Sequence, residues 1–299
     1  MSTPRITQRL MVQHSLTSLQ LGMNRLSDTQ EKLSTGRQIN RPSDSPTGTN
    51  DAMRLRAQIA ADTQHARNMQ DGIAWMGTTD SAMSSMFDQV QRARDLLVQG
   101  ASTGNTAPEA RTAIATELTQ IRESLFGLAN TAHLGRPVFG GATGSPVAYT
   151  KDAAGNVKYV GDTNEVNRRI GEGVDVPINV VGAEALGDDA TGLFAVLNDA
   201  INDLTANPAN ISSSLGGLDA VTEKLKTAQA DLGTRYARVE AAQTRMSSST
   251  LDNKSALSDV ENVDIAEAIM NLQLQQTAYQ GALGATAQVI QRSLLDFLH

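Results

Sequence analysis

The apolar residues of this chain recur at alternating spacings of three and four over most of its length. The clearest case is the carboxyl-terminal segment from Asp264 to His299. Its apolar positions are Ile265, Ile269, Leu272, Tyr279, Leu283, Ile290 and Phe297. This spacing places them along one face of an α-helix. A second stripe of smaller residues, between Leu274 and Val289, lies on another face, so the pattern predicts a helix with neighbours on two sides.

A matching stripe lies near the amino terminus, where only Gln30 is polar. Its apolar members are Leu16, Leu19, Met23, Leu26 and Leu33. The match predicts that the two ends of the chain pack together. Because isolated helices are only marginally stable in water, we expect both ends to be loose in the free monomer and to become ordered when other subunits supply the missing contacts. The residues that we expect to form this assembly interface are Leu16, Leu19, Met23, Leu26, Leu33, Ile265, Ile269, Leu272, Leu283, Ile290 and Phe297.

Between the two ends, the same spacing predicts further long helices. The first should run from about Thr7 to Thr35. The second should open with Asp44 as its N-cap and continue to about Gln99. A third helix should end at Gly135, folded back antiparallel to the second.

Single positions within these seams carry further expectations. The methionines at 69, 76, 83 and 86 follow helical spacing, which is typical of core filling. Asp62 in the second helix and Gln276 in the last are polar residues in apolar seams. Each of these two either fixes the register of the packing or lies at the edge of its seam.

Helical periodicity disappears from Arg136 to about Gly187. Short runs rich in valine and tyrosine indicate strands at Pro146–Thr150, Val157–Val160 and Val174–Val181. The loop between the first two contains Gly155 and Asn156, which is compatible with a hairpin. The sequence therefore predicts a small β-rich insert.

Helical spacing resumes at Leu193, breaks around Pro208 and the run Ser212–Ser214, and continues to about Asp259. We therefore expect a mainly α protein, with long antiparallel coiled-coil-like helical rods and the β-rich insert in the middle of the chain. The expected domains are terminal helices at 1–43 with 260–299, a helical rod domain at 44–135 with 190–259, and the insert at 136–189.

Composition supports long helical seams rather than one large globular core. The 299 residues are 40% hydrophobic but only 3% aromatic. A net charge of -7, spread along the chain, argues against nucleic acid or an anionic membrane as the partner. The chain has no cysteine, which excludes thiol catalysis, thiolate metal sites and disulfides.

The sequence offers no positive support for an enzyme. The four histidines are far apart, and none has a second histidine or a carboxylate at ligand spacing on one helix face. No P-loop or nucleophile elbow occurs, and the glycines of the insert lack the setting of a dinucleotide loop. We therefore expect no catalytic, cofactor-binding or metal site, although an acidic pair brought together by folding stays open.

Several segments resemble one known family. The run Leu33–Pro46 resembles the signature that follows the first helix in the bacterial flagellin superfamily. Val263–Ala268, Leu272–Ala278 and Ser293–Leu298 resemble the closing helix of the hook-filament junction proteins within that superfamily. The run Arg136–Gly141 resembles the entry of the same proteins into their β insert.

The resemblance implies a non-enzymatic structural adaptor of the flagellum that joins hook to filament through coiled-coil self-assembly. Its implied partners are hook-associated protein 1 below, flagellin above, and further copies of itself in a ring. It also implies an extracellular location, reached through the flagellar type III export apparatus without a cleaved signal peptide, with a cytoplasmic export chaperone at the carboxyl end. The amino end does lack the apolar core of a secretion signal. The alternative is a short flagellin that forms the filament itself.

Overall fold

The computed structural model describes residues 3–102, 108–153, 155–187 and 189–295. Within these ranges, the side chains of 3–9, 11, 102, 208 and 289–295 lie outside the description. Helices account for 74% of the chain, and small antiparallel strand pairs occupy its middle, which confirms the predicted fold class. The chain divides into two compact units, one formed by Met1–Ala60 and Thr250–His299 and the other by Ala61–Ser249.

The bounds of the elements agree broadly with the periodicity. The helices are α1 (Thr3–Thr35), α2 (Pro46–Ser102), α3 (Pro108–Ala129), α4 (Gly182–Leu186), α5 (Leu193–Thr205), α6 (Ile211–Glu261) and α7 (Ile265–Leu295), with a short 3₁₀ helix at Pro208–Asn210. The strands are β1 (Ala132–His133), β2 (Arg136–Pro137), β3 (Tyr149–Lys151), β4 (Val157–Tyr159), β5 (Asn167–Gly171) and β6 (Val174–Pro177).

In the unit that contains both chain ends, α1 packs against α7. Thr29 Oγ1 donates a hydrogen bond of 2.9 Å to Gln275 Oε1. About two turns further back in α1, a side chain at Gly22 would start only 3.4 Å from Tyr279 Cδ2. Because lower numbers in α1 lie opposite higher numbers in α7, the two helices run antiparallel.

Two short chain segments meet where α1 ends and α7 begins. The Gln38 amide donates to Glu261 O at 2.7 Å, and the Val263 amide donates to Gly36 O at 3.1 Å. The two hydrogen bonds tie the segment after α1 to the segment before α7.

The start of α2 differs from the prediction by one residue. Ser45 is the N-cap, because its Oγ accepts a hydrogen bond of 3.1 Å from the Gly48 amide. Asp44 instead accepts hydrogen bonds from the amides of Asn40 and Arg41, at 3.0 and 2.8 Å. These two donors hold the pKa of Asp44 below its ordinary value. The prediction of Asp44 as N-cap was therefore wrong.

The second unit contains a bundle in which α2 runs antiparallel to α6. Asp80 accepts a hydrogen bond of 3.0 Å from Gln229, and Arg94 pairs with Asp219 at 2.7 Å. The core includes fully buried side chains of α2, α3, α5 and α6, together with Phe139 and Ile178. They include Met69, Met76, Met83, Met86, Leu97, Leu118, Leu125 and Leu197. The predicted role of the four methionines as core filling is confirmed.

The two polar residues predicted to lie in apolar seams, Asp62 and Gln276, differ in their exposure. Asp62 is 2% exposed, so it does not lie at the edge of its seam. Gln276 is exposed and lies outside the contact between α7 and α1.

The described strands form three antiparallel pairs. The pair β3–β4, closed by the loop 152–156, confirms the predicted hairpin. The third predicted strand corresponds to β6, which ends at Pro177 and pairs with β5. The sequence did not predict β5, because Arg168 and Arg169 interrupt any apolar run there. Their guanidinium groups pair instead with Asp71 and Asp175, at 2.7 and 3.0 Å.

Two predicted boundaries were wrong. The third helix ends at Ala129 rather than Gly135, because the residues that follow form the hairpin β1–β2. The run Ser212–Ser214 is helical, since α6 already begins at Ile211 and the break is confined to the residues before it. Serine is unfavourable but tolerated inside a helix, so its weak preference is a poor boundary signal there.

Candidate assembly surface

The contact between α1 and α7 is a seam of half-buried side chains at alternating spacings of three and four. The α1 positions are Val12, Ser15, Leu19, Gly22, Leu26, Thr29 and Leu33. The α7 positions are Ala268, Leu272, Gln275, Tyr279, Ala282 and Thr286, of which Ala268 is buried. Such a heptad repeat on both partners is the pattern of a coiled-coil contact.

The seam takes up only part of the predicted interface. Leu19, Leu26, Leu33 and Leu272 lie in it, half-buried. The other described members remain exposed, and their exposed fractions are Leu16 53%, Met23 60%, Ile265 59%, Ile269 44% and Leu283 44%. Ile290 and Phe297 lie outside the residues whose side chains the structure describes.

The five exposed members lie on the same side of the helix pair. At about 100° per residue, Leu16 and Met23 lie roughly 80–100° around α1 from the centre of the seam. Ile265, Ile269 and Leu283 lie roughly 60–100° around α7 in the same rotational sense. Because the helices are antiparallel, equal rotations about their own directions lead to the same side. We call these five residues the apolar face.

The opposite side of the pair is polar where α1 ends and α7 begins. A groove of about 400 Å³ lies there, with Lys32 on α1 and Glu267 and Asn271 on α7 in its wall. Asp264 closes the same groove and caps α7, since its Oδ1 accepts hydrogen bonds from the amides of Ala266 and Glu267 at 2.9 and 3.2 Å. The α1–α7 pair therefore presents two chemically different sides.

The helix α7 is unusually free of charge. No charged residue occurs between Glu267 and Arg292. Met270 and Leu274, away from the apolar face, are 64% and 69% exposed. A helix that is apolar on more than one side is typical of an element surrounded by neighbours.

The described residues hold little that suggests reaction chemistry. Within them, no group of three or more histidine, cysteine or acidic side chains could hold a metal ion. Of the histidines, His14 is exposed, while Nδ1 of His133 lies 3.3 Å from Thr78 Oγ1. His299 lies outside the described residues. In the part of the chain that the structure describes, no helix is both long and apolar enough to cross a membrane.

Two family models match this chain on either side of its middle. Residues 6–140 match the bacterial flagellin N-terminal helical region, and residues 215–298 match the bacterial flagellin C-terminal helical region. The matched ranges contain the helices that carry the seam and the apolar face. The chain belongs to the bacterial flagellin family.

Individual relatives resemble the chain over almost its whole length. Flagellar hook-associated protein 3 of Escherichia coli (strain K12) is 25% identical, over 94% of this chain and 95% of that protein. Flagellin of Bacillus subtilis (strain 168) is 27% identical, over 94% of this chain and 96% of that protein. The chain is thus a structural flagellar protein similar to hook-associated protein 3.

Solved structures show the same fold. A putative flagellar hook-associated protein from Vibrio parahaemolyticus aligns with a TM-score of 0.68 at 19% identity, over 73% of this chain and all of that one. FlgL from Xanthomonas campestris aligns with a TM-score of 0.62 at 18% identity, over 68% of this chain and 99% of that one.

Proposed function

We propose that this protein is a non-enzymatic adaptor that joins the flagellar hook to the filament. The observation that carries the proposal is the apolar face, which the α1–α7 pair leaves open on a structural flagellar protein. Full burial of one large apolar side chain contributes about 1.5–3 kcal/mol relative to full exposure. Burial of the apolar face by other subunits therefore favours assembly, because these side chains stay exposed in the monomer.

The choice of the junction rests on the resemblance to hook-associated protein 3 of Escherichia coli along nearly the full length of both chains. In this role, hook-associated protein 1 binds on the hook side and flagellin on the filament side. Further copies of the same chain complete a ring, held together by coiled-coil contacts of the terminal helices.

The route to this location follows from the same family. The protein leaves the cytoplasm through the flagellar type III export apparatus and works outside the cell. A cytoplasmic export chaperone covers the carboxyl end beforehand. The exposed apolar side chains of α7, such as Ile269 and Leu274, are the groups that need such cover.

Localisation on isolated flagella tests the proposal. We expect gold-labelled antibodies against this protein to mark one short zone at the boundary between hook and filament. The same preparation labelled for flagellin is the control and should be marked along the filament but not at that zone. Label of this protein along the whole filament would contradict the junction role.

The second candidate is a short flagellin that forms the filament itself. It is favoured by the match to flagellin of Bacillus subtilis, which covers almost all of both chains. Purified protein separates the two candidates, because a flagellin should grow into long filaments from short filament seeds. We expect the purified adaptor not to elongate such seeds.

A further inference from the structure

Two linkers meet at one end of the α1–α7 pair. Residues 36–45 lead from α1 to α2, and residues 262–264 lead from α6 to α7. They form an antiparallel bridge between Arg37 and Asn262, supported by two backbone hydrogen bonds of 2.7 and 3.1 Å. We call these two segments the linker pair. It holds the end of α1 beside the start of α7, although the two lie far apart in sequence.

A buried carboxylate connects the linker pair to α2. Glu261, the last residue of α6, is only 7% exposed, and Nη2 of Arg56 in α2 lies 2.6 Å from its Oε1. The backbone oxygen of Glu261 also accepts the hydrogen bond from the Gln38 amide. One residue therefore binds α2 through its side chain and the first linker through its backbone. Loss of one partner from such a pair leaves an uncompensated charge, which is strongly destabilising.

The first linker also packs against both helices that it connects. A side chain at Gly48 would start 2.6 Å from Cδ1 of Ile39, so Ile39 lies directly over the first turn of α2. Arg41 pairs with Glu31 of α1 at 3.0 Å. The linker is therefore held by contacts on both sides.

Burial around the chain ends is concentrated beside the linker pair. Among the described side chains of residues 1–60 and 250–299, only Ala52, Glu261 and Ala268 are buried, and each lies within about two turns of a linker. Further along α1 and α7, the seam residues are only half-buried. Because regions with few buried contacts open more readily, the end of the pair beside the linkers should be its most stable part.

We propose that the linker pair is the point from which α1 and α7 begin to pair, and that the Arg56–Glu261 ion pair keeps this point closed in the monomer. Pairing next to an existing contact closes only a short loop, whereas pairing at the far end closes a long one and costs more entropy. Helices also extend more easily than they nucleate. The paired segment therefore grows from Thr35 and Ile265 towards the two chain ends. The inference goes beyond the proposed function, because it holds for an adaptor and for a filament subunit alike.

Hydrogen–deuterium exchange of the purified full-length monomer tests the direction of growth. Amide protection should fall along α1 from Thr35 towards Leu16, and along α7 from Ile265 towards Leu283. The exchange rates at the two ends of each helix should differ by at least about tenfold, since only one end adjoins buried contacts. Equal rates along both helices, or the slowest exchange at the far ends, would overturn the proposal.

The Arg56→Gln variant tests the ion pair, because it leaves the buried Glu261 carboxylate without the guanidinium. Peptides that cover the linker pair and the first turn of α7 should exchange several-fold faster, while the buried turns of α2 around Met76 keep their wild-type rates. The matched control is Arg54→Gln, which breaks an exposed pair with Asp51 in the same helix and should leave all rates unchanged. Unchanged rates in Arg56→Gln, or an equal effect of Arg54→Gln, would overturn the role of the ion pair.

The Glu261→Gln variant is a second test, since it keeps the size of the side chain and removes its charge. It should also speed exchange at the linker pair, whereas its matched control Asp259→Asn, an exposed carboxylate in the same turn of α6, should not. Equal exchange in these two variants would refute the role of Glu261. Faster exchange that extends over the buried turns of α2 would show a general loss of stability and would refute it too. Because these measurements use the purified chain, gold label along the whole filament would overturn only the junction role.

Discussion

Gly141 shows how closely single residues of the β insert fit together. It has a φ of 70°, and a side chain there would start 2.2 Å from the backbone oxygen of Asp162. Asp162 in turn accepts hydrogen bonds from the amides of Ala142 and Asn164, at 2.7 and 3.0 Å. These donors hold the pKa of Asp162 below its ordinary value. Two loops that are distant in sequence are thus fixed against each other.

We predict that Gly141→Ala is strongly destabilising. The left-handed backbone costs a residue with a Cβ about 1–2 kcal/mol, and the clash with backbone atoms of Asp162 adds to this, giving at least about 3 kcal/mol in total. Gly173→Ala is the matched control, since its φ is 67° but nothing lies within 4 Å of an added Cβ. It should cost only about 1–2 kcal/mol. Urea unfolding measures both, and equal losses would refute the role assigned to the Asp162 contact.

Single residues were the hardest part of the structure to predict from the sequence. Asp44 and Ser45 are both good N-caps, and only the fold shows that the carboxylate of Asp44 is already engaged by the amides of Asn40 and Arg41. The turn between β1 and β2 escaped notice because its first residue, Leu134, has a φ of 49°, and leucine is not a usual residue at positive φ. The local sequence cannot decide between adjacent residues whose free energies as an N-cap differ little.

At the scale of elements, the long helices were predictable because their apolar spacing is sustained over many turns. The short strands were less so. The pair β3–β4 is rich in tyrosine and valine and flanks a glycine-containing loop, whereas β5 carries two adjacent arginines whose partners, Asp71 and Asp175, become evident only after folding. Strand signals that depend on distant partners are invisible in a local window.

The division of the predicted interface into a seam and an open face could not be predicted from the spacing alone. Leu272 and Ile269 are only three residues apart and belong to the same stripe, yet the first is half-buried against α1 and the second is exposed. A three-four repeat fixes the face of a helix within about one residue position, and adjacent positions differ by about 100°. The register between α1 and α7 determines which residues of each stripe are covered by the other helix.

The apolar face leads to a prediction for α7. Ile269→Asp should place a charge in a dry subunit contact, at a cost of several kcal/mol. We expect loss of swimming and release of flagellin into the medium. The control is Asn271→Asp, which adds the same charge to an exposed position in the wall of the polar groove. Swimming in soft agar and immunoblots of the medium measure the effect. Normal swimming of the Ile269→Asp strain would argue against the apolar face as a contact.

At the scale of the whole molecule, burial is distributed unevenly. Within residues 61–249, Met69, Met83 and Leu118 have no exposed surface. Within the α1–α7 seam, the leucines at 19 and 26 are only half-buried. Regions with few fully buried contacts open more readily than a packed core.

We therefore predict that α1 and α7 exchange amide hydrogens much faster in the dilute monomer than the buried turns of α2, α3 and α6. In isolated flagella, the same two helices should become protected, because the apolar face is then covered. Hydrogen–deuterium exchange with mass spectrometry measures both states, and α2 serves as the internal reference. Full protection of α1 and α7 in the monomer would contradict ordering on assembly.

The charge-free stretch of α7 determines how a subunit contact made through it responds to salt. Attraction between ions weakens as dissolved salt accumulates, whereas contact between uncharged surfaces is largely indifferent to it. A contact made only through this stretch of α7 should therefore not weaken as the salt concentration rises. Such a contact would persist when a swimming cell moves from fresh water into salt water.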